Sequence, residues 1–281
     1  MKLGISSYSY MKHMRQTGAN YFDICDLAHR TGYEGIEFIE LSLDVQPADS
    51  IEDLARQIRK HCEGLGLHII AYTIGADFLN RGPEEIERVK GHVDTAKLLG
   101  AGVLRHDAAW TLPEGVDWRE AVERIKGPIR EVTEYAALHG IKTCTENHGM
   151  VLQDAHRVET LIKAVDHPNY GWLIDMGNFL CADELALNAL PIAAPYAFHA
   201  HAKDFLYKPQ WEKRPSDDWF GTRNGSHLRG TVAGHGVVPI PYCIEILRAH
   251  GYDSWLSYEF EGMEDNLPAL ESAYKYLKSL I

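Results

Sequence analysis

One junction recurs along this chain and limits what it can fold into. An amphipathic helix runs into a glycine turn, and a short apolar run follows. The pattern reads LAHRTGYEGIEFIE, HCEGLGLHIIAYT, AKLLGAGVLRH, AALHGIKTCTE and LRAHGYDSWLSYE. Glycine takes the left-handed conformation that ends a helix, and the apolar run behind it suits a strand. Repeated helix-to-strand units of about 30–40 residues call for parallel strands joined by helical crossovers.

The spacing predicts strands near 2–8, 35–40, 67–74, 102–107, 141–147, 170–176, 197–203 and 254–260. Helices are predicted near 19–31, 51–65, 83–99, 117–139, 156–166, 184–194, 240–250 and 265–280. Pro83-Glu84-Glu85 opens the third of these with an early proline and first-turn acids. Eight strands alternating with eight helices point to an α/β fold, the closed (β/α)8 TIM barrel. An open dinucleotide-binding sheet would carry GxGxxG after its first strand, and the chain has none there. A length of 281 residues suits one barrel, so a single domain over 1–281 is expected. One segment breaks the rhythm. Residues 205–237 are polar, aromatic and Gly-rich without a clear period. They follow the seventh strand and are read as a long active-site loop on the C-terminal face.

Composition narrows the class of function. Hydrophobic residues at 45% supply a large core, and the formal charge of −12 opposes binding to a phosphate backbone. Nucleic acid is therefore not expected as a partner. The five cysteines are odd in number and form no CxxC, which reads as reduced thiols in a cytoplasmic protein. The N-terminal MKLGISSYSY has no apolar leader core, and no run approaches the roughly 20 apolar residues of a membrane span.

Polar side chains in buried barrel strands are costly unless they are paired or functional. Four successive strand ends are rich in them: Thr-Glu146-Asn147-His148, Leu-Ile-Asp175-Met-Gly-Asn178, His199-Ala-His201-Ala-Lys203-Asp204 and Ser-Tyr-Glu259-Phe-Glu261. Any one such acid is commonly a helix cap or an ion-pair partner. Four at matched positions point to a divalent metal bound by Glu146, Asp175, His201 and Glu259. One imidazole with three carboxylates suits Mn2+ first, with Mg2+, Co2+ or Zn2+ as other candidates.

The runs ENHG at 146–149, LIDMGN at 173–178, HAHAKD at 199–204, GYDSWLSYEFEG at 251–262 and GYEGIEF at 32–38 carry a family resemblance. The chain resembles the sugar phosphate isomerase/epimerase family of xylose isomerase-like TIM barrels over essentially its whole length. The resemblance implies the same four metal ligands. It also implies a metal-dependent sugar isomerase or epimerase acting on a keto-sugar or related polyol. Such an enzyme abstracts a proton next to a metal-bound carbonyl and passes through an enediolate. Glu146 and Glu259 would be the acid/base pair on opposite faces of the substrate.

Two departures shift the expectation. Asn178 stands where ketose 3-epimerases commonly carry a histidine, and His148 follows the Glu146-Asn147 pair as a second candidate base. Relatives that act on 3-oxo-glycosides, including large subunits of C-glycoside-cleaving enzymes, resemble this arrangement. They give the alternative: a lyase or deglycosidase working with a small β-rich partner subunit. An endonuclease IV-like phosphodiesterase is disfavoured by Asn178 and by Ala233-Gly-His235, which lacks an Asp-x-His pair. A non-enzymatic sugar-binding barrel would have lost ligands, and all four are present.

Further substrate contacts are expected from Arg105, His106, Asn178, His199 and Arg229. Lys203 is expected to face away from the metal, in a salt bridge. Tyr8, Glu40, Tyr72 and Asp77 at other strand ends read as structural, as do Trp219, Arg223, His227 and His235 in the long loop. The expected partner is a small-molecule carbohydrate, with self-association a further expectation.

Overall fold

The glycines stop the helices where the repeat predicts. Gly66 and Gly100 take φ of 71° and 81°, and their amides fold back onto the last carbonyls of the helices they end. The computed structural model describes residues 1–281. Its barrel strands are β1 (Lys2–Ser6), β2 (Gly35–Ile39), β3 (His68–Ile74), β4 (Val103–His106), β5 (Lys142–Glu146), β6 (Tyr170–Asp175) and β7 (Ala197–Ala202). Three strands of an excursion follow, β8 (Asp204–Lys208), β9 (Phe220–Gly221) and β10 (His227–Thr231), and β11 (Trp255–Tyr258) completes the barrel. The eight barrel strands are parallel and close in the order β1-β11-β7-β6-β5-β4-β3-β2. The predicted TIM barrel is the observed fold.

The helices between them are α1 (Met11–Thr17), α2 (Tyr21–Thr31), α3 (Ile51–Leu65), α4 (Glu84–Leu99), α5 (Trp118–Leu138), α6 (Ala155–Val165), α7 (Ala186–Ala193), α8 (Ile240–Ala249) and α9 (Asn266–Lys278). Each buries an apolar stripe on the sheet. In α3 the buried face is Leu54, Ala55, Ile58 and Cys62, the spacing of one helical side. Side-chain caps fix several starts: Asn20 closes a capping box on α2, and Asp117 accepts two amides at the head of α5.

The structure differs from the sequence reading in two places. The first strand ends at Ser6, not at residue 8. Ser6 and Ser7 turn the chain through a short 3-10 segment into α1, a helix that the repeat did not announce. Residues 205–237 are also not aperiodic. They hold an antiparallel sheet in the order β8-β10-β9, with Phe205 opposite Gly230 and Tyr207 opposite Leu228. Strands of two to five residues are too short to display alternation.

One carboxylate ties off that excursion. Asp204 accepts the amides of Phe205 and Val238 on Oδ1, at 2.9 and 3.0 Å. Its Oδ2 accepts those of Gly234 and Gly236, both at 2.9 Å. A side chain at Gly236 would collide with Asp204 Oδ1, so this approach requires glycine. Replacing Asp204 with alanine is expected to leave these amides unpaired and to cost about 2 kcal/mol or more. Hydrogen exchange should rise across 204–238 while α2–α6 keep their protection. Uniform loss of protection along the chain would show that the tie is not local.

Candidate metal centre and catalytic cleft

Period-two alternation decides which strand residues look into the barrel. In β7 and just beyond, His199, His201 and Lys203 form one inward row. In β5, β6 and after β11 the inward end positions are Glu146, Asp175 and Glu259. The register places Asp175 beside His201 and Ser257 beside His201, so the four groups arrive at one height. Their donor atoms all lie within 4.8 Å of one another. His201 Nδ1 is 3.7 Å from both Asp175 Oδ2 and Glu259 Oε2.

The free valences point the same way. Asp175 Oδ1 accepts the amides of Gly177 and Asn178 at 2.8 and 2.9 Å, which turns its buried Oδ2 to the centre, where Lys203 Nζ pairs with it at 3.2 Å. His201 Nδ1 is buried there without a hydrogen-bond partner. Buried polar atoms left in this state are rare unless an ion or water completes them. These four residues can hold a divalent metal, and the oxygen-rich donor set suits a hard or borderline ion.

A second carboxylate sets the imidazole. Glu37, fully buried in the middle of β2, lies 2.8 Å from His201 Nε2 and 2.6 Å from His199 Nε2. With the His201 proton held on Nε2 toward Glu37, the Nδ1 lone pair faces the centre, the carboxylate–histidine arrangement of many metal sites. Burial works against the Glu37 charge, yet the two imidazoles keep its carboxyl well below the ordinary range. Glu37, His199 and His201 also form a compact donor group, in which His199 Nε2 and Glu37 Oε2 are already hydrogen-bonded at 2.6 Å.

Two cations balance the acids. Arg105 reaches Asp107 Oδ1 at 2.7 Å and Glu146 Oε2 at 2.8 Å. Lys203 Nζ contacts Glu259 Oε2 at 2.5 Å and Asp175 Oδ2 at 3.2 Å. Burial opposes the Lys203 charge, but Asp175, Glu259 and Glu261 hold its ammonium well above the ordinary range. The expectation that Lys203 faces away from the metal is overturned. It stands two residues past His201, so alternation returns it to the same face, and its salt bridges lie inside the site. Asn178 spans both signs of charge, donating to Glu146 Oε1 at 2.8 Å and accepting from Lys203 Nζ at 3.2 Å.

His148 stands at the mouth, its side chain 48% exposed, with Nδ1 3.0 Å from Asp107 Oδ1. Partial desolvation works against its charged form, and the Asp107 carboxylate outweighs this, raising the imidazole above its ordinary value. Asp107 is itself held down to about 2, against burial, by Arg105. Arg105, Glu146, His148, His201, Lys203 and Glu259 line a cleft of about 240 Å³ together with Tyr8, Glu40 and Glu261.

Three expected contacts are not brought to the cleft. Arg105 and His106 are neighbours in one strand, so only one can face inward, and it is Arg105. His106 is fully buried between Phe78 and Tyr170, with Nδ1 2.8 Å from the Asp107 carbonyl. His199 lies beneath the centre on Glu37. Arg229 lies on the excursion sheet, 3.2 Å from Asp218 and over Trp219. The sequence reading missed Glu37 and Asp107. Glu37 had a visible signal, a lone charge inside the apolar run GIEFI, because a buried carboxylate needs a partner.

The family model described as a xylose isomerase-like TIM barrel matches residues 25–280, and the chain belongs to this family. The chain is 24% identical over 242 residues to an inosose dehydratase of Clostridium perfringens (strain 13 / Type A), covering 84% of this chain and 73% of that protein. Among solved structures it is similar to the IOLI protein with a bound zinc atom: TM-score 0.76, 19% identity, 100% of this chain and 98% of that one. It is also similar to the 3-keto-D-glucoside 4-epimerase YcjR from E. coli: TM-score 0.72, 15% identity, 99% of each chain.

Two measurements test this account. Asp175→Asn and Glu37→Gln should each weaken Mn2+ binding by about 10–100-fold, read by calorimetry on chelator-treated protein. Binding as tight as wild type in Asp175→Asn would remove the ligand assignment. The second concerns His106, whose imidazole burial pushes down to about 4 from an ordinary 6.5. Below pH 6.5 the unfolded chain takes up this proton and the folded chain does not. Stability should therefore fall by about 3 kcal/mol between pH 6.5 and 4. His106→Gln should show a shallower slope in urea titrations over that window, and an identical slope would refute the assignment.

Proposed function

We propose that this barrel is a divalent-metal-dependent lyase of the dehydratase kind, acting on a cyclic polyhydroxy ketone such as a keto-cyclitol or an oxo-sugar. The observation that carries this reading is the inequality of its acid and base groups. Both oxygens of Glu146 are engaged, by Arg105 and Asn178, and Glu259 is in contact with Lys203. Neither glutamate stands free as a base. The free base is His148, at the mouth and backed by Asp107. The nearest proton source inside is the Lys203 ammonium.

An epimerase needs a base on one face of a carbon and an acid on the other, both exchanging protons with that same carbon. An elimination needs unlike groups, one to take a carbon-bound proton and one to protonate a departing hydroxyl. His148 and Lys203 are unlike in this sense. In the proposed step neutral His148 accepts the proton beside the carbonyl, a carbon–carbon double bond forms, and the adjacent carbon–oxygen bond breaks. Lys203 gives its proton to the leaving hydroxyl, which departs as water. A divalent ion held by Glu146, Asp175, His201 and Glu259, Mn2+ in this proposal, would supply Lewis acidity beside the substrate carbonyl. Burial raises the Glu146 carboxyl, Arg105 opposes that rise and holds the group in place, and Asn178 bridges Glu146 and Lys203.

The similarity to inosose dehydratases supports this choice. The isomerase or epimerase reading shares the opening proton abstraction, and a lyase acting on 3-oxo-glycosides shares both steps with a different leaving group. Product analysis separates them. With Mn2+ in deuterated water, an inosose is expected to lose water and give an unsaturated product. His148→Gln should lower kcat by about 10²–10⁴-fold with metal content unchanged. Deuterium entering recovered substrate without loss of water would sink the dehydratase reading and favour the epimerase.

A further inference from the structure

The cleft does not end at the metal centre. Tyr8 and Glu261 form a shared wall, and on its far side lies a second cavity of about 400 Å³. At about 240 Å³ the cleft itself falls short of the ~300–1,000 Å³ common for ligand pockets, whereas the two spaces together fall within it. Tyr8 and Glu261 are the residues that a substrate longer than the cleft would pass to reach the annex.

One side of the annex is α1, and the other is the segment from Phe260 to Gly262 with Asn266. Lys12, Arg15 and Gln16 stand at i, i+3 and i+4 on α1 and therefore share a face. This helix is inserted between β1 and α2 on the C-terminal rim, where barrels carry the segments that select substrates. The two cations lack acidic partners. Lys12 Nζ donates to the carbonyls of Met263 and Glu264, at 2.8 and 3.0 Å, and forms no ion pair. Arg15 makes no hydrogen bond or salt bridge, in a chain whose net charge is −12. The one acid in the lining, Glu261, is drawn toward the catalytic side, 3.8 Å from Lys203.

Resting on the reading of the cleft as the reaction site, we propose that the annex receives an oxyanion on the substrate, a carboxylate or a phosphate remote from the reacting carbon. Arg15 presents the fork of donors that matches either group, Lys12 adds a second positive charge, and Gln16 a neutral donor. The substrate class narrows accordingly, from a neutral cyclic ketone to one bearing an acidic substituent.

The test needs no knowledge of the reaction. Inorganic phosphate and, separately, acetate are titrated at low ionic strength into metal-free full-length protein, followed by calorimetry. In metal-free protein the carboxylates of the centre repel both probes. Wild type is expected to bind at least one of them. Arg15→Gln should raise that Kd about tenfold, Arg15→Lys should retain most of the affinity, and Lys60→Gln on exposed α3 should change nothing. Preference for phosphate assigns a phosphomonoester, and equal or better binding of acetate assigns a carboxylate. No binding of either anion, or equal binding in wild type and Arg15→Gln, overturns the proposal. Anion binding without any dehydration of ketone substrates would instead leave the annex standing and remove the dehydratase reading. Dehydration without Arg15-dependent anion binding would do the reverse.

Discussion

Several acids are buried together at one end of this barrel, and the fold tolerates them only because cations are interleaved with them. Glu37, Glu146, Asp175 and Glu259 would repel one another in a low-dielectric interior. His201 lies between Glu37 and the other acids, Arg105 against Glu146, and Lys203 between Asp175 and Glu259. The inward row of β7 and its extension, 199, 201 and 203, supplies most of this compensation. A one-residue slip of β7 would send the whole row to the helix layer and leave the acids unpaired.

That charge lattice also commits the two glutamates. Glu146 accepts from an arginine and an amide and Glu259 from an ammonium, so each would have to leave a partner to approach a substrate carbon. The site resolves this by placing its uncommitted group outside the lattice, at the mouth, where His148 touches only Asp107 among the acids. Asp107 in turn is anchored by Arg105, so the same guanidinium that steadies Glu146 also steadies the partner of His148, the base in the proposed reaction. The site is built as two connected halves: a fixed charged floor and one solvent-facing imidazole.

The barrel was legible because its signal is repeated. Each helix-to-glycine-to-strand junction reinforces the next, and closure follows from number and alternation. The four inward groups Glu146, Asp175, His201 and Glu259 were legible because each is the last inward residue of its strand. What the sequence concealed is mostly a matter of partners. His106 looks like a strand-end ligand until Arg105 claims the inward side. Lys203 stands two residues past His201, so alternation alone returns it to the inward face, against the expectation that it faces away. Glu37 is far from the other site residues in sequence, and only barrel closure brings β2 to within contact of β7 side chains. The excursion sheet escaped notice because its pairing is long-range and its strands are short.

The tie at Asp204 has a consequence for how this protein can change. The excursion leaves and re-enters the barrel at nearly one point, with Phe205 and Val238 both hydrogen-bonded to the same carboxyl oxygen. Leu228 packs in the core and Arg223 is tied to Asp154, so the cassette free to vary is the exposed tip at 210–217, where the loop-closure cost grows only slowly with added residues. Replacing that cassette, with Asp204 and Gly236 kept, is a route to altering what reaches the catalytic face without renegotiating the scaffold beneath it.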